Sequence, residues 1–135
     1  MIISASRRTD IPAFYAQWLI NRLREGHVLT PYRYDRDKLG SIRLTPEGVD
    51  CLVFWSKNPA PMLDMLPVID ALGYHYSFSY TITGYEADLE PGLPSQAKEL
   101  ETFLALSERP VPKRVDWRYV PILINWRYTL EWHLN

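Results

Sequence analysis

Cysteine, excess charge and long apolar runs are all scarce in this sequence of 135 residues. The single cysteine, Cys51, excludes an internal disulfide framework and a metal cluster built from the cysteines of one chain. The 15 basic and 16 acidic residues leave a net charge of −1, which excludes the global basic field that drives non-specific nucleic-acid binding. We therefore expect no nucleic-acid partner, although a local groove would suffice to bind a single strand.

Membrane and export segments are also missing from the pattern. No apolar run approaches the roughly 18 residues that cross a bilayer. The amino terminus lacks the charged segment and long apolar stretch of a signal peptide. We therefore expect a cytoplasmic protein with no membrane association. Hydrophobic residues make up 47% of the chain, which is enough for a packed core, and the length fits a single domain over residues 1–135.

Strand and helix patterns alternate along the chain. Strand patterns occupy residues 2–6, 50–57, 74–84 and 113–124, and helix patterns occupy residues 12–25, 58–73 and 95–108, with a further helix beginning in 128–135. Residues 27–44 have the pattern of a hairpin, and Pro67 predicts a kink or an early break in the second helix. This order predicts an α/β fold of parallel (β/α) units, with four main strands and a small hairpin.

The polar face of the predicted strands leaves two interpretations open. Apolar and small polar residues alternate along the third strand, and Val115 and Trp117 alternate with Asp116 and Arg118 in the fourth. The strands either form half of a TIM-barrel-like sheet with a polar interior, or an open sheet whose polar face meets solvent. Charged residues at the strand ends favour the half-barrel, because α/β folds place ligand sites at the carboxyl ends of strands.

Two arginines and an aspartate follow the first predicted strand. Arg7 and Arg8 offer planar guanidinium groups that suit a phosphate or a carboxylate, and the helix that begins nearby directs N–H groups toward an anion. The alternative is a structural arginine–aspartate pair, with Thr9 or Asp10 capping that helix. Arg7, Arg8 and Asp10 are therefore candidates for a small anionic ligand.

Trp55, Lys57 and Asn58 end the second strand. Lys57 could contact an anion, or act in acid–base chemistry if it is desolvated. For Asn58 we favour the N-cap of the following helix, since Pro59 follows it, and for Trp55 we favour packing over ligand stacking.

The last two strands supply three more candidates. Thr83 precedes Gly84, for which we expect an unusual backbone angle. Arg118 and Tyr119 lie in the fourth strand, and Asp116 two residues earlier suggests an interior ion pair with Arg118. The three histidines show no metal-ligand spacing with one another or with Cys51, so we expect no metal site in this chain.

Three stretches together, "SRRTDIPAFY", "VDCLVFWSKNPAPML" and "WRYVPILIN", with "TITGY" between them, resemble the amino-terminal half of the family known as domain of unknown function 1848. The resemblance implies a (β/α) barrel-type fold. It also implies that longer relatives carry a carboxyl-terminal cysteine cluster similar to that of radical S-adenosylmethionine enzymes. The matching positions carry over as candidate pocket residues only: Arg7, Arg8, Asp10, Trp55, Lys57, Asn58, Arg118 and Tyr119. Val120 departs from the pattern, because an aspartate is expected there.

The resemblance leaves two hypotheses for this chain. One is an enzyme-derived half-barrel that binds an anion, with an iron–sulfur cluster and S-adenosylmethionine expected only in the longer relatives, since one cysteine cannot hold such a cluster. The other is a noncatalytic binding or assembly module, whether a natural short protein, a split gene product or a fragment. In either case a half-barrel has two exposed sheet edges, which predict a homodimer.

Overall fold

A computed structural model describes residues 1–32, 35, 37–109 and 115–135. Its strands are Ile2–Ser4 (β1), His27–Pro31 (β2), Leu39–Arg43 (β3), Cys51–Ser56 (β4), Tyr76–Thr81 (β5) and Val115–Arg118 (β6). Its α-helices are Ile11–Phe14 (α1), Ala16–Glu25 (α2), Leu66–Ala71 (α3), Gln96–Ser107 (α4) and Leu130–Leu134 (α5), and a 3₁₀ helix spans Ala60–Met65. Lys113 and Arg114 of the fourth predicted strand, and residues 33, 34 and 36 of the predicted hairpin, lie outside the described residues.

Four parallel strands form the main sheet, in the order β1-β4-β5-β6. Each strand therefore adjoins the one that precedes it in this sheet, as successive strands do in a (β/α) barrel. The hairpin β2–β3 is antiparallel and forms a separate two-stranded sheet. The predicted α/β class, the four-stranded parallel sheet and the small hairpin are confirmed, while closure of the sheet into a half-barrel stays a prediction.

The two faces of the main sheet differ as the alternation predicts. One face, here called the covered face, carries Leu52 and Phe54 of β4 and Tyr76, Phe78 and Tyr80 of β5, all buried in the core. The opposite face, here called the open face, carries residues that are only half-buried or exposed along most of its length. It includes Ser4, Cys51, Val53, Trp55, Ser77, Ser79, Asp116 and Arg118. The small polar face of β5 is therefore not packed under helices.

The first predicted helix is interrupted. Tyr15 has φ −132° and separates α1 from α2, so the predicted single helix over residues 12–25 is wrong in its continuity. Leu19, Ile20 and Leu23 are buried as the helical spacing predicts, but Phe14 is 76% exposed and Trp18 is also exposed. Gly26 ends α2 with φ +76°, the left-handed conformation that a C-cap glycine adopts.

The second predicted helix begins as a 3₁₀ helix. Its N-cap position is Pro59, and no side chain caps it, so the predicted N-cap role of Asn58 is wrong. Pro67 lies in the first turn of α3, where its missing N–H breaks no helical hydrogen bond. The early break predicted from Pro67 is confirmed, because the 3₁₀ segment gives way to α3 at this point.

Helices of the described segments are all short, and none has the length and apolar character that crossing a membrane requires. The cytoplasmic location stays a prediction.

Candidate functional site

The carboxyl ends of β1, β4 and β5 border a cleft of about 530 Å³. The strands are parallel and in register, so the residues that follow β1 and β4 lie at the same edge of the sheet. We call this space the arginine cleft. It brings together six of the predicted site residues, namely Arg7, Arg8, Asp10, Trp55, Lys57 and Asn58.

Asp10 connects the loop after β1 to the end of β4. Its Oδ1 accepts a hydrogen bond from Ala13 N at 3.0 Å and one from Ser56 Oγ at 2.8 Å. Its Oδ2 accepts from Lys57 N at 2.9 Å. The predicted capping by Asp10 is therefore confirmed, and the carboxylate is fully engaged with protein donors. It also satisfies the N–H of Ala13, so the four-residue helix α1 offers little of the anion affinity that the sequence suggested for its N-terminus.

Arg7 and Arg8 are exposed at the mouth of the cleft, and neither forms an ion pair with a carboxylate of the described residues. Arg8 Nη2 donates to the carbonyl oxygen of Pro31 at 3.2 Å, which positions this side chain beside the hairpin without neutralising its charge. The structural arginine–aspartate pair considered from the sequence is absent within the described segments, since Asp10 bonds to Ser56 and Lys57 instead.

Arg118 reaches the same edge from β6. Its guanidinium carbon lies 5.0 Å from the centroid of the Trp55 ring, a cation–π contact on the open face. Trp55 itself lines the arginine cleft and is half exposed, so it does more than pack into the core. No ion pair joins Asp116 to Arg118, both of which are described, so that prediction is wrong. The side chain of Arg118 stacks on Trp55 instead, on the open face.

Two buried polar atoms in the cleft have no hydrogen-bond partner. They are Ser6 Oγ and Asn58 Oδ1. Asn58 is held by its backbone N–H, which donates to Ser56 Oγ at 3.0 Å, so its side-chain amide remains available to the cleft. Buried polar atoms in native proteins are nearly always paired, and unpaired ones next to a cleft are places where a ligand or water bonds.

Lys57 belongs to a cluster with two glutamates, here called the lysine cluster. Lys57 Nζ forms an ion pair with Oε1 of Glu90, and Thr83 Oγ1 donates a hydrogen bond to Oε2 of the same carboxylate at 2.9 Å. Desolvation lowers the pKa of Lys57, and the negative charge of Glu99 partly opposes this shift. The cation predicted to meet an anion is therefore already neutralised by Glu90.

Thr83 and Tyr119 line a different space, a cavity of about 970 Å³ between the segment after β5, α4 and α5. The Tyr119 hydroxyl lies 2.6 Å from His133 Nδ1, and His133 Nε2 lies 2.8 Å from the Leu123 carbonyl oxygen. Since Nε2–H can donate to that carbonyl, Nδ1 can accept the tyrosine proton. Burial raises the pKa of Tyr119. The sequence thus placed these two residues correctly at strand ends but did not separate them from the arginine cleft.

Sequence reasoning missed Ser6, Ser56, Glu90 and Glu99. Glu99 had a detectable pattern, because it shares the core-facing side of α4 with the buried residues Thr102 and Leu106. An acidic residue at a core position indicates either a carboxylate paired with a cation or a carboxylate that belongs to a binding site. No sequence pattern indicated Glu90, since its contact with Lys57 spans 33 residues and its sequence neighbours have only the composition of a loop.

The described residues contain no group of three or more histidine, cysteine or acidic side chains arranged around a possible metal ion. An iron–sulfur cluster does not fit this chain, because Cys51, the single cysteine, is the first residue of β4 and its Sγ is 3.9 Å from Ser77 Oγ. We therefore assign no step to such a cluster.

No curated protein and no solved structure matches the chain significantly. The family model of DUF1848, a domain of unknown function, matches residues 2–135. The four-stranded parallel sheet and its arginine cleft are thus features of a chain that belongs to the DUF1848 family.

Proposed function

We propose that this chain binds a small molecule carrying a phosphate or carboxylate in the arginine cleft. The observation that carries the proposal is that Arg7 and Arg8 border a cleft with no ion-pair partner in the described residues, beside the unpaired Ser6 Oγ and Asn58 Oδ1. Guanidinium groups bind such anions through paired N–H donors.

The ligand also carries a hydroxyl or amine in this proposal. Asn58 Oδ1 accepts hydrogen bonds only, so a hydroxyl or amine on the ligand supplies the donor that it lacks within the described residues. Ser6 Oγ can donate to the anion itself. Asp10 has a positioning role, since it fixes the loop of the arginines against β4. Lys57 contributes little, because Glu90 neutralises it.

The proposed role is binding, without chemistry by this chain alone. A relation of longer DUF1848 members to radical S-adenosylmethionine enzymes stays a proposal about those members. The single cysteine supports this distinction between the present chain and the longer members, since one thiolate does not hold an iron–sulfur cluster.

Thermal unfolding with and without ligand tests the anion site. Glycerol 3-phosphate, inorganic phosphate and uncharged glycerol are compared at constant ionic strength. We expect the melting temperature of the wild type to rise most with glycerol 3-phosphate, because that probe offers both an anion and hydroxyl donors. The shift disappears in Arg7→Ala and in Arg8→Ala.

Arg43→Ala is the matched control, since Arg43 is an exposed arginine on β3 and not a lining residue of the cleft. This variant is expected to keep the full response. Equal shifts in all three variants would show a general salt effect and contradict the proposal. A wild type whose melting temperature rises with neither glycerol 3-phosphate nor inorganic phosphate would also contradict it.

A second candidate function, assembly with another copy of the chain, is favoured by a separate observation. The described residues from 117 onward expose many large apolar side chains: Trp117, Val120, Ile122, Leu123, Ile124, Trp126, Leu130 and Leu134. Trp126 is 90% exposed. Apolar surface on this scale is typical of a surface that a partner covers.

The partner we propose is a second copy. The strands β1 and β6 are the two edges of the parallel sheet, and each lacks a neighbour on one side within the described residues. Two copies together supply eight parallel strands, the number in a closed (β/α) barrel. Sedimentation tests this candidate: we expect a dimer, whereas a monomer at every concentration would contradict it.

A further inference from the structure

The cavity of about 970 Å³ beside α4 has a charge character opposite to that of the arginine cleft. Glu86, Glu90 and Glu99 line it, and none of the described residues that line it is a lysine or an arginine. Glu86 is paired with Arg127 and Glu90 with Lys57, so Glu99 is the lining carboxylate without a direct partner among the described residues. Within the described part of the lining, only the side chain of His133 can become a cation, and it is hydrogen-bonded to Tyr119 and Leu123. The space is therefore electronegative and large enough for a small organic molecule.

Glu99 of α4 is one of the residues that line this cavity. Its residue is 5% exposed. No described side chain or N–H group makes a direct hydrogen bond or ion pair with its carboxylate, although the positive charge of Lys57 acts on it from farther away. The carboxylate oxygens of Glu99 are not among the fully buried unpaired atoms, so they keep contact with the cavity that Glu99 lines. Burial of the rest of the side chain still removes part of the hydration of this group, which makes its charged form costly. The arrangement thus leaves a negative group directed at an open space.

Lys57 does not resolve this imbalance. Its ammonium group pairs with Glu90, whose second oxygen accepts from Thr83. The lysine cluster therefore contains one basic and two acidic side chains. With all three groups ionised, the lysine cluster carries one excess negative charge that no described residue neutralises.

Aromatic side chains form much of the remaining wall. Tyr85, Phe103, Trp117, Tyr119 and Trp132 line the cavity. Tyr85 and Trp132 stack with ring centroids 5.6 Å apart and planes 4° from parallel, and this stack fixes both rings. Aromatic walls around a carboxylate favour organic cations, because the ring faces are electronegative and the apolar substituents of the cation contact them.

We propose that this cavity binds a small organic cation, a quaternary or protonated amine, whose charge is balanced by Glu99 and whose apolar groups contact the aromatic wall. The site is separate from the arginine cleft, because Leu93 is the single described residue that lines both spaces. Loss of anion binding in the arginine variants would leave this proposal intact, and the converse also holds.

Calorimetry with choline and its uncharged isostere 3,3-dimethyl-1-butanol tests the proposal, since the two probes share a shape and differ in charge. We expect choline to bind the wild type and the isostere to bind at least about tenfold more weakly. Quenching of tryptophan fluorescence provides a second readout, because Trp117 and Trp132 line the cavity.

Glu99→Gln removes the charge and retains the shape. We expect this variant to bind choline about tenfold more weakly or worse, while Glu101→Gln, the same change at an exposed position of α4, binds as the wild type does. The far-ultraviolet circular dichroism spectrum verifies that both variants are folded. Equal binding of the two probes, equal binding by Glu99→Gln, or no binding of choline to the wild type would overturn the proposal.

Discussion

Glu99 illustrates at the scale of one residue how burial and function conflict. Its pKa is raised by burial, and the ammonium group of Lys57 lowers it only in part. The folded protein therefore holds a proton on Glu99 more tightly than the unfolded chain does. Ionisation of this group opposes folding, and a carboxylate with such a cost is typical of a binding site.

The substitution Glu99→Gln is expected to stabilise the protein at neutral pH by about 1 kcal/mol, because an amide costs less to bury than a carboxylate. The gain over the wild type should vanish in acid. It should grow as the pH rises from the ordinary glutamate value of 4.5 through the raised folded pKa, and then stay constant. Urea denaturation at several pH values measures it.

The control is again Glu101→Gln, which changes the same charge on the exposed side of α4. Its stability should follow that of the wild type at each pH. If Glu99→Gln were less stable than the wild type at neutral pH, the carboxylate would have a stabilising partner, and both this prediction and the cation site would lose their basis.

At the scale of secondary-structure elements, Asp10 joins three of them. Its carboxylate caps α1 and bonds to the last residue of β4 and to the backbone that leads to the 3₁₀ helix. These contacts span 46 and 47 residues of the chain. The arginine loop is therefore fixed to the sheet through one side chain.

We expect Asp10→Ala to lower the free energy of unfolding by about 2–4 kcal/mol. The loss of the cap contributes about 1 kcal/mol. The remainder comes from Ser56 Oγ and the N–H of Lys57, which lose an acceptor in a partly buried place. Urea denaturation measures the change, and Asp64→Ala, at an exposed position of the 3₁₀ helix, should stay within about 0.5 kcal/mol of the wild type. A loss for Asp10→Ala as small as that of the control would contradict the role of Asp10 as a link.

The regular elements could be predicted where one local pattern decides them. The alternation of β5 and the glycine after α2 are such cases. The interruption at Tyr15 and the 3₁₀ start after Asn58 could not be predicted, because packing of neighbouring elements decides where a helix continues. Phe14 and Trp18 belong to the predicted apolar stripe, yet they are exposed. Phe14 lies in α1, before the interruption at Tyr15, and Trp18 lies in α2 on the side away from the buried residues of that helix.

The arginine cleft was predictable for a topological reason. Residues that follow parallel strands meet at one edge, so Arg7, Lys57 and their neighbours had to lie together once the sheet was inferred. The partners of those residues were not predictable. Glu90 reaches Lys57 from a loop, and Trp55 takes the place of Asp116 beside Arg118, because such contacts depend on side-chain geometry that a strand pattern does not contain.

At the scale of the whole molecule, two spaces of opposite charge lie on either side of the lysine cluster. Lys57 lines the arginine cleft, whereas Glu90, Thr83 and Glu99 line the cavity of about 970 Å³ beside α4. The ion pair of Lys57 with Glu90 thus lies between the space for which we propose an anion and the space for which we propose a cation. A near-zero net charge is compatible with both proposals, since local groups of opposite charge cancel in the total.

The exposed edges of the sheet carry the last prediction. Ile2 on the edge strand β1 is 71% exposed, so Ile2→Lys should cost the isolated chain little stability while it places a charge where a second copy would pair. Trp126→Ser removes the most exposed aromatic side chain. We expect both variants to sediment as monomers under conditions in which the wild type and Leu39→Ser, a control at an exposed position of the hairpin, sediment as dimers. Dimers that persist in both variants would place the contact elsewhere on the surface, because neither the edge nor the apolar carboxyl-terminal segment would then be needed for it.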